Sequence, residues 1–592
     1  MKKILLSLFF LFLFGQSLRI KRVAFLPAGS MAAGTYPICV DSDHNGLNEI
    51  IFHVSYKWEI WEHFPINQYQ LVYVDTGAYP YPPGIETGNF EPKDVGDIDQ
   101  DGLTDLLGPN VEANADYYNV VTIQESPEYH SYPESLSWWY RYSIYAVQTA
   151  PFYFTPDLDQ DNQQEFIFVA EGIGRTHIFE NRGNNQNELV WSRFQIGAWS
   201  FAFGDFDLDG RKEFVTANLG SLGRVSVYEN TGNDQYEMVY QDTVRLPNGS
   251  DVFSGEDLDC DGKPEFFVGF AQWVGGNIWD FYLYMWEATG NNTYERTFID
   301  RVRDVDWLDQ RSKCGDIDGD GIEELVWSIG GQVRIYKATG NNQFQLVWSW
   351  RNDHGGNYPH SLVNIYDMNK NGYKEVVVSG WNKTSIFEVE AVKLLRPNGG
   401  ENFSGNSQEL IRWQKFYPPR CDSLSLFFSQ DNGRNYEVIA TGIPGTDTSY
   451  LWQVPNISSD SCKIKIIAYG PGWQYDESDG VFRIRAVGID ELKSEIPFYF
   501  TFKIRSNVFK SPTVIHFSLP NKNKGSLKIY NILGKLVKSF FFTPQCSDKN
   551  YCLTWDGTDN FNKKLSPGAY FLILTQDETK GYKIIKKIIL AE

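Results

Sequence analysis

Seven times between residues 41 and 375 the chain sets acidic or amide side chains at positions 1, 3, 5 and 9 of a nine-residue stretch. The sets are Asp41, Asp43, Asn45 and Glu49; Asp97, Asp99, Asp101 and Asp105; Asp157, Asp159, Asp161 and Glu165; Asp205, Asp207, Asp209 and Glu213. They continue with Asp257, Asp259, Asp261 and Glu265; Asp316, Asp318, Asp320 and Glu324; and Asp367, Asn369, Asn371 and Glu375. Carboxylates two residues apart repel one another unless a positive charge lies among them. Six to eight oxygens at flexible geometry suit a hard cation, calcium above all, so the spacing predicts up to seven bound Ca2+ ions.

Position 6 is Gly in six copies and Asn162 in the third. Both types tolerate the positive φ that would let the chain turn and bring the position 9 acid back onto the same ion. One Asp-Gly cluster is an ordinary turn signal. Seven in one register point instead to a shared ligand. Asn369 and Asn371 lower the charge of the last loop, which should hold its ion most weakly, and Asn45 makes the first intermediate. An EF-hand would need its closing Glu at position 12 between helices. Here the acid at 9 runs into Phe214-Val215 or Leu325-Val326-Trp327, so the loops join strands.

The elements that must position these loops recur with them. Successive first aspartates lie 48 to 60 residues apart, which is room for about four strands. Apolar strands follow the loops, as at Phe166-Ile167-Phe168 and Val376-Val377-Val378, and Gly-Asn corners such as Gly232-Asn233 and Gly340-Asn341 supply hairpin turns. The expectation is an all-β chain: a seven-bladed β-propeller over residues 19–392, followed by two β-sandwich, immunoglobulin-like domains. The last unit lacks an outer strand, while Arg22-Val23-Ala24-Phe25-Leu26 has no blade of its own. That N-terminal strand is predicted to complete the seventh blade and remove an open edge.

From Val392 onward, period-two alternation between Gly, Pro and Asn turns predicts a sandwich over residues 393–486 with Trp413 and Trp452 in its core. A third β module fills 487–592, and its stretch from Thr501 carries fifteen Lys plus Arg against six acids. The chain as a whole is acidic, with a formal charge of −22, which argues against a nucleic-acid partner. Residues 1–18, with Lys2-Lys3 ahead of an apolar run from Ile4 to Phe14, have the form of a secretory signal peptide. No other segment reads as membrane-spanning. Seven cysteines are few for 592 residues. Cys421 with Cys462, and Cys546 with Cys552, are candidate local bridges, whereas Cys39, Cys260 and Cys314 read as small buried hydrophobes.

The loops resemble those of FG-GAP or VCBS repeats, found also in integrin alpha-subunit propellers. That resemblance implies ligation by the side chains at 1, 3, 5 and 9 plus the position 7 carbonyl, for example of Arg211 or Ile322, in a bracing role without chemistry. Residues 393–486 are similar to immunoglobulin-like or fibronectin-like modules. The run Ser526–Val537, Trp555-Asp556-Gly557 and Leu565–Phe571 resembles the type A sorting domain of type IX secretion, and also the hook-capping fold. It implies a module read by outer-membrane export machinery, hence a secreted or cell-surface protein.

No Ser-His-Asp order, zinc spacing or phosphate-cradling Gly loop is present, so the sequence leans away from an enzyme. The leading expectation is a calcium-stabilised binding or adhesion scaffold for a polysaccharide or surface protein. Two alternatives stay open. A polysaccharide lyase or other carbohydrate-active enzyme would need a cleft joining His130 or His177 to Tyr and Arg, and a structural surface-layer component would self-associate. The aromatic-rich insertion Glu125–Trp139 could stack on sugar rings or pack into the core.

Overall fold

The computed structural model describes residues 18–29, 37–54, 57–64, 67–75, 90–111, 118–142, 151–170, 174–194, 200–218, 222–276, 278–305, 311–351, 361–380, 383–487, 502–504, 508–510, 512–518, 525–542, 550–576 and 583–591. The signal-type segment 1–17, His354, His360 and Cys546 lie outside the described residues. The described residues are all-β and divide into two compact units, one reaching Ala391 with the short segments Phe416–Arg420 and Pro471–Trp473, the other comprising the rest.

The first unit consists of seven four-stranded antiparallel sheets, at residues 38–74, 94–141, 152–194, 201–244, 249–305, 313–351 and 362–389. Six are simple meanders. The seventh takes its fourth strand from the other end of the chain: Ile20–Leu26 pairs antiparallel with Lys383–Val389, Ile20 opposite Val389 and Leu26 opposite Thr384. This is the closure anticipated from the orphan N-terminal strand.

Each sheet packs on the next through its own buried cluster. Ile51 meets Leu106, Val121 meets Phe166, Ile167 meets Phe214, Val227 meets Trp286, Phe267 meets Leu325, and Val326 meets Val376. The cycle closes where Val377 of the seventh sheet joins Ile50 of the first. The unit is therefore a β-propeller. Second strands lie between two neighbouring sheets and are covered on both faces, which is why they read as unbroken apolar runs such as Glu213–Ala217, buried throughout. Fourth strands are the outer edges and are only partly covered, as in Gln68–Val74, where no residue is buried.

The inner strands are polar where they converge. Lys93 Nζ pairs with Glu91 Oε2 at 3.1 Å, Ser312 Oγ donates to Asp251 Oδ2 at 2.5 Å, and Lys313 Nζ donates to Asn364 Oδ1 at 2.9 Å. The buried Lys93 and Glu91 are paired and the buried Asp251 is hydrogen-bonded, as low-dielectric surroundings require.

In the second unit, one sheet joins Val392–Arg396, Gln408–Lys415 and Ser449–Gln453, and another holds Ser423–Ser429 between Ser459–Tyr469 and Glu437–Pro444. Trp413 and Trp452 are buried, as expected. A separate pair of sheets covers 502–590 around Leu527, Trp555 and Leu572. The expected Cys421–Cys462 bridge does not form: both thiols are free. Asp422 N donates to the carbonyl of Tyr469, seven residues along the strand from Cys462, so the two cysteines stand roughly 20 Å apart at ~3.3 Å per residue. Nor is Cys260 buried; it is exposed at position 4 of the fifth loop.

Candidate metal centres

All seven loops connect the first and second strands of their sheets, and all seven fold alike. Position 6 has the expected positive φ, from 71° at Asn162 to 97° at Gly262. Position 4 is left-handed too, at His44, Gln100, Gln160, Leu208, Cys260, Gly319 and Lys370, with φ between 55° and 73°. The sequence gives no warning of this second site, since six of these residues are not glycine and pay ~1 kcal/mol or more for the conformation.

The backbone amides are consumed in a fixed pattern. Position 6 N–H donates to the position 1 carboxylate, as Gly210 does to Asp205 Oδ2 at 3.1 Å and Gly262 to Asp257 Oδ2 at 2.7 Å. Position 7 N–H donates to the position 5 oxygen, for instance Arg211 to Asp209 Oδ1 at 2.9 Å. Position 2 N–H donates to one oxygen of the position 9 acid: Ser42 to Glu49, Ile98 to Asp105, Leu158 to Glu165, Phe206 to Glu213, Leu258 to Glu265, Ile317 to Glu324 and Met368 to Glu375.

That last bond aims the second oxygen inward. Glu49 Oε1, Asp105 Oδ1, Glu165 Oε1, Glu213 Oε1 and Glu265 Oε1 are buried and accept no hydrogen bond. Burial pushes these carboxyls up, to about 8 for Glu49, Asp105, Glu165 and Glu265 and about 9 for Glu213, and the loop's own aspartates add to the shift. In the fourth loop, oxygens of Asp205, Asp207, Asp209 and Glu213 all lie within 4.8 Å of one another; Asp41, Asp43 and Glu49 converge in the same way, as do Asp157, Asp159 and Glu165. The donor set is all oxygen, which fits a hard divalent cation.

The structure adds ligand candidates that the linear reading missed. Opposite the position 9 acid, across the pairing of second and third strands, stands another carboxylate: Glu62 faces Glu49, Glu125 faces Asp105, Glu180 faces Glu165, Glu229 faces Glu213 and Glu287 faces Glu265. Glu388 follows Phe387, the partner of Val376, and so faces Glu375. Like charges directly opposite are unfavourable, and here they recur. The interval from position 9 varies from 13 residues in the first sheet to 22 in the fifth, which hides the pattern. Its visible trace is an aromatic residue followed by Glu near the end of the third strand, as in Trp61-Glu62, Phe179-Glu180, Tyr228-Glu229, Trp286-Glu287 and Phe387-Glu388.

The Gly-Asn corners have a second task. Each reaches back to the loop of the preceding sheet: Asn185 N donates to Asp99 Oδ2 at 2.8 Å, Asp234 N to Asp159 Oδ2 at 2.9 Å, Asn292 N to Asp207 Oδ2 at 2.6 Å, and Asn342 N to Asp259 Oδ2 at 2.5 Å. Side chains of Asn184, Asn291 and Asn341 bond Asp101, Asp209 and Asp261. The loops thus fasten neighbouring sheets together. The insertion Glu125–Trp139 touches the first loop in a different way: His130 Nδ1 lies 3.2 Å from the Asp43 carbonyl and Tyr129 stacks on His44. Trp138 packs on Phe166 and Phe179, whereas Trp139 stays half exposed.

In their side-chain contacts the loops are not all alike. In the first, Asn45 Nδ2 donates to Glu62 Oε1 at 2.5 Å and to Asp43 Oδ2 at 3.0 Å. In the seventh, Asn371 Nδ2 donates to Glu388 Oε1 at 2.5 Å and Asn369 Nδ2 to Glu375, so amides already occupy two carboxylates. Its Lys370 reaches Asp41 Oδ2 of the first loop at 2.9 Å. In the sixth, Lys337 stands where the other sheets have Glu. Of the two histidines named for the lyase alternative, His177 is a buried strand residue against Phe168 and His130 is engaged on the first loop.

Residues 157–216 and 316–378 match the model of the FG-GAP-like repeat. Both segments begin at the first Asp of one loop and run past the next. These two segments are similar to the FG-GAP-like repeat. No curated protein matches the chain. Among solved structures it is similar to the fibronectin(III)-like modules of CbhA from Clostridium thermocellum, at 12% identity over 34% of this chain and 93% of that one, with a TM-score of 0.13. It is also similar to exo-inulinase from Aspergillus awamori, at 9% over 80% and 93% with a TM-score of 0.26. The Tc holotoxin pore of Photorhabdus luminescens gives 11% over 80% of this chain and 22% of that one, TM-score 0.26. Likenesses at such scores carry nothing about activity.

Proposed function

We propose that the propeller is an extracellular scaffold braced by calcium, which presents the end remote from the loops to a polysaccharide or protein partner. The observation that supports it most is the set of buried, unbonded position 9 oxygens, converging with loop aspartates at Glu49, Glu165 and Glu213. Side chains at 1, 3, 5 and 9 would hold the ion, and the ion would supply only charge neutralisation and bracing. Because corners of the next sheet bond the same aspartates, ion loading would stiffen the seams between sheets.

In a meander, the loops joining strands one to two and three to four share one end. The hairpins joining strands two to three share the other, and there the fifth sheet projects Trp273, Val274 and Ile278 into solvent. The exposed Trp273, held by a hydrogen bond from its Nε1 to the Gly276 carbonyl, is a stacking surface for a sugar ring or an apolar side chain. The basic C-terminal module is proposed to be the export signal for the type IX route, leaving the protein secreted or held at the outer cell surface.

Metal analysis of the purified chain, with melting curves before and after chelation, tests the core of the reading. Several equivalents of calcium per chain and a melt lowered by many degrees on chelation are expected. Calcium-free native protein with an unchanged melt would remove it.

A further inference from the structure

We infer that the sixth loop, Asp316 to Glu324, takes no divalent ion because the chain supplies its own cation there, the ammonium of Lys337. Lys337 Nζ lies 2.5 Å from Asp318 Oδ2, 2.6 Å from Asp320 Oδ2 and 2.9 Å from Glu324 Oε1. Those are positions 3, 5 and 9. Its N–H groups donate to Asp318 and Asp320, and the third carboxylate, Glu324, lies within ion-pair distance of the same ammonium. Asp318 and Glu324 are fully buried and Lys337 mostly so, and the contact therefore belongs to the interior of the loop rather than to its rim.

Lys337 follows Tyr336, the cross-strand partner of Leu325, and so faces Glu324 as Glu229 faces Glu213 in the fourth sheet. The four carboxylates of the sixth loop, Asp316, Asp318, Asp320 and Glu324, carry −4, and the ammonium of Lys337 offsets part of that charge with no ion. A divalent ion would need the same oxygens at ~2.4 Å, and the ammonium is in its way.

The topology says why this loop is the exception. Loops of the second to fifth sheets receive a backbone N–H from the corner between the third and fourth strands of the next sheet. The seventh sheet has no such corner, because its fourth strand is Ile20–Leu26. Asp318 Oδ2, the oxygen that would receive that N–H, is bonded by Lys337 instead. A tethered cation at the seam where the ring is closed cannot be lost to dilution or chelator.

This inference shares the calcium reading of the other loops but can fail separately. The test is the calcium content of the full chain, measured by atomic emission after dialysis, for the native protein and for K337E, D318N and D207N. Expected are one additional ion in K337E, an unchanged count in D318N, and one fewer in D207N. Loss of an ion in D318N overturns the assignment of Lys337 while leaving the calcium reading intact. No ion in the native chain but one in K337E would do the reverse, and none in either would remove both. Should K337E not fold, terbium-soaked crystals of the native protein decide by anomalous scattering: a peak between Asp316 and Glu324 refutes the inference, and peaks at other loops without one there sustain it.

Discussion

Stripping the loops of cations should make the propeller sensitive to pH, in a direction the buried acids fix. The position 9 carboxyls of five loops are pushed from the ordinary carboxylate range to about 8 or 9. Without an ion they stay protonated in the folded chain at neutral pH and ionise on unfolding. The folded state then holds more protons than the unfolded one from about pH 4.5 to the folded value, so stability is greatest below that window and falls as pH rises through it. One unit is worth about 1.4 kcal/mol. pH 7 lies ~2.5 units above the unfolded value of such a Glu, which costs about 3 kcal/mol per group, against less than ~1 kcal/mol at pH 5. Five of them approach the ~5–15 kcal/mol that holds a typical domain together. Thermal melts in chelator across pH 5 to 8 should therefore show a steep fall in Tm, and excess calcium should flatten the profile by replacing protons with an ion; 100-fold excess over Kd adds about 2.7 kcal/mol per site. A chelated protein that melts at the same temperature at pH 5 and 7.5 would refute this reasoning.

Other outcomes follow from single features. Leu208 is exposed and left-handed at φ 60°, so Leu208→Asn, which accepts that conformation, should raise stability by up to ~1 kcal/mol in denaturant titration, and a loss would show that the side chain packs in solution. Trp286 is fully buried and stacks on Phe266 with centroids 5.7 Å apart; Trp286→Ala should cost about 3–5 kcal/mol by chemical denaturation. Deleting residues 18–26 bares the edge of Lys383–Val389 and should produce aggregation visible by light scattering, whereas a monodisperse truncated chain would deny the strand its closing role. Trp273→Ala should leave the melt unchanged and weaken retention on whichever polysaccharide or protein the native chain binds; retained binding would place the partner surface elsewhere.

Alternation and spacing made much of this protein legible before any coordinates. The 1, 3, 5, 9 pattern works at the range of a single turn, so the loop's shape, the glycine at position 6 and the strand that follows are all written locally. Even the closing strand could be read, because an edge without a partner and a strand without a sheet leave one economical solution. What local order cannot hold is the pairing between strands. The glutamates opposite position 9 sit 13 to 22 residues away, at intervals set by hairpin length, and only strand register brings them face to face. The corners that fasten one sheet to the loop before it act across more than 70 residues. Lys337 is the sharpest case: in the sequence it is one lysine among many, and only the fold places its charge where the pattern of aspartates calls for a metal. Electrostatics depends on distance in space, and that is fixed by the sheets rather than by the order of residues.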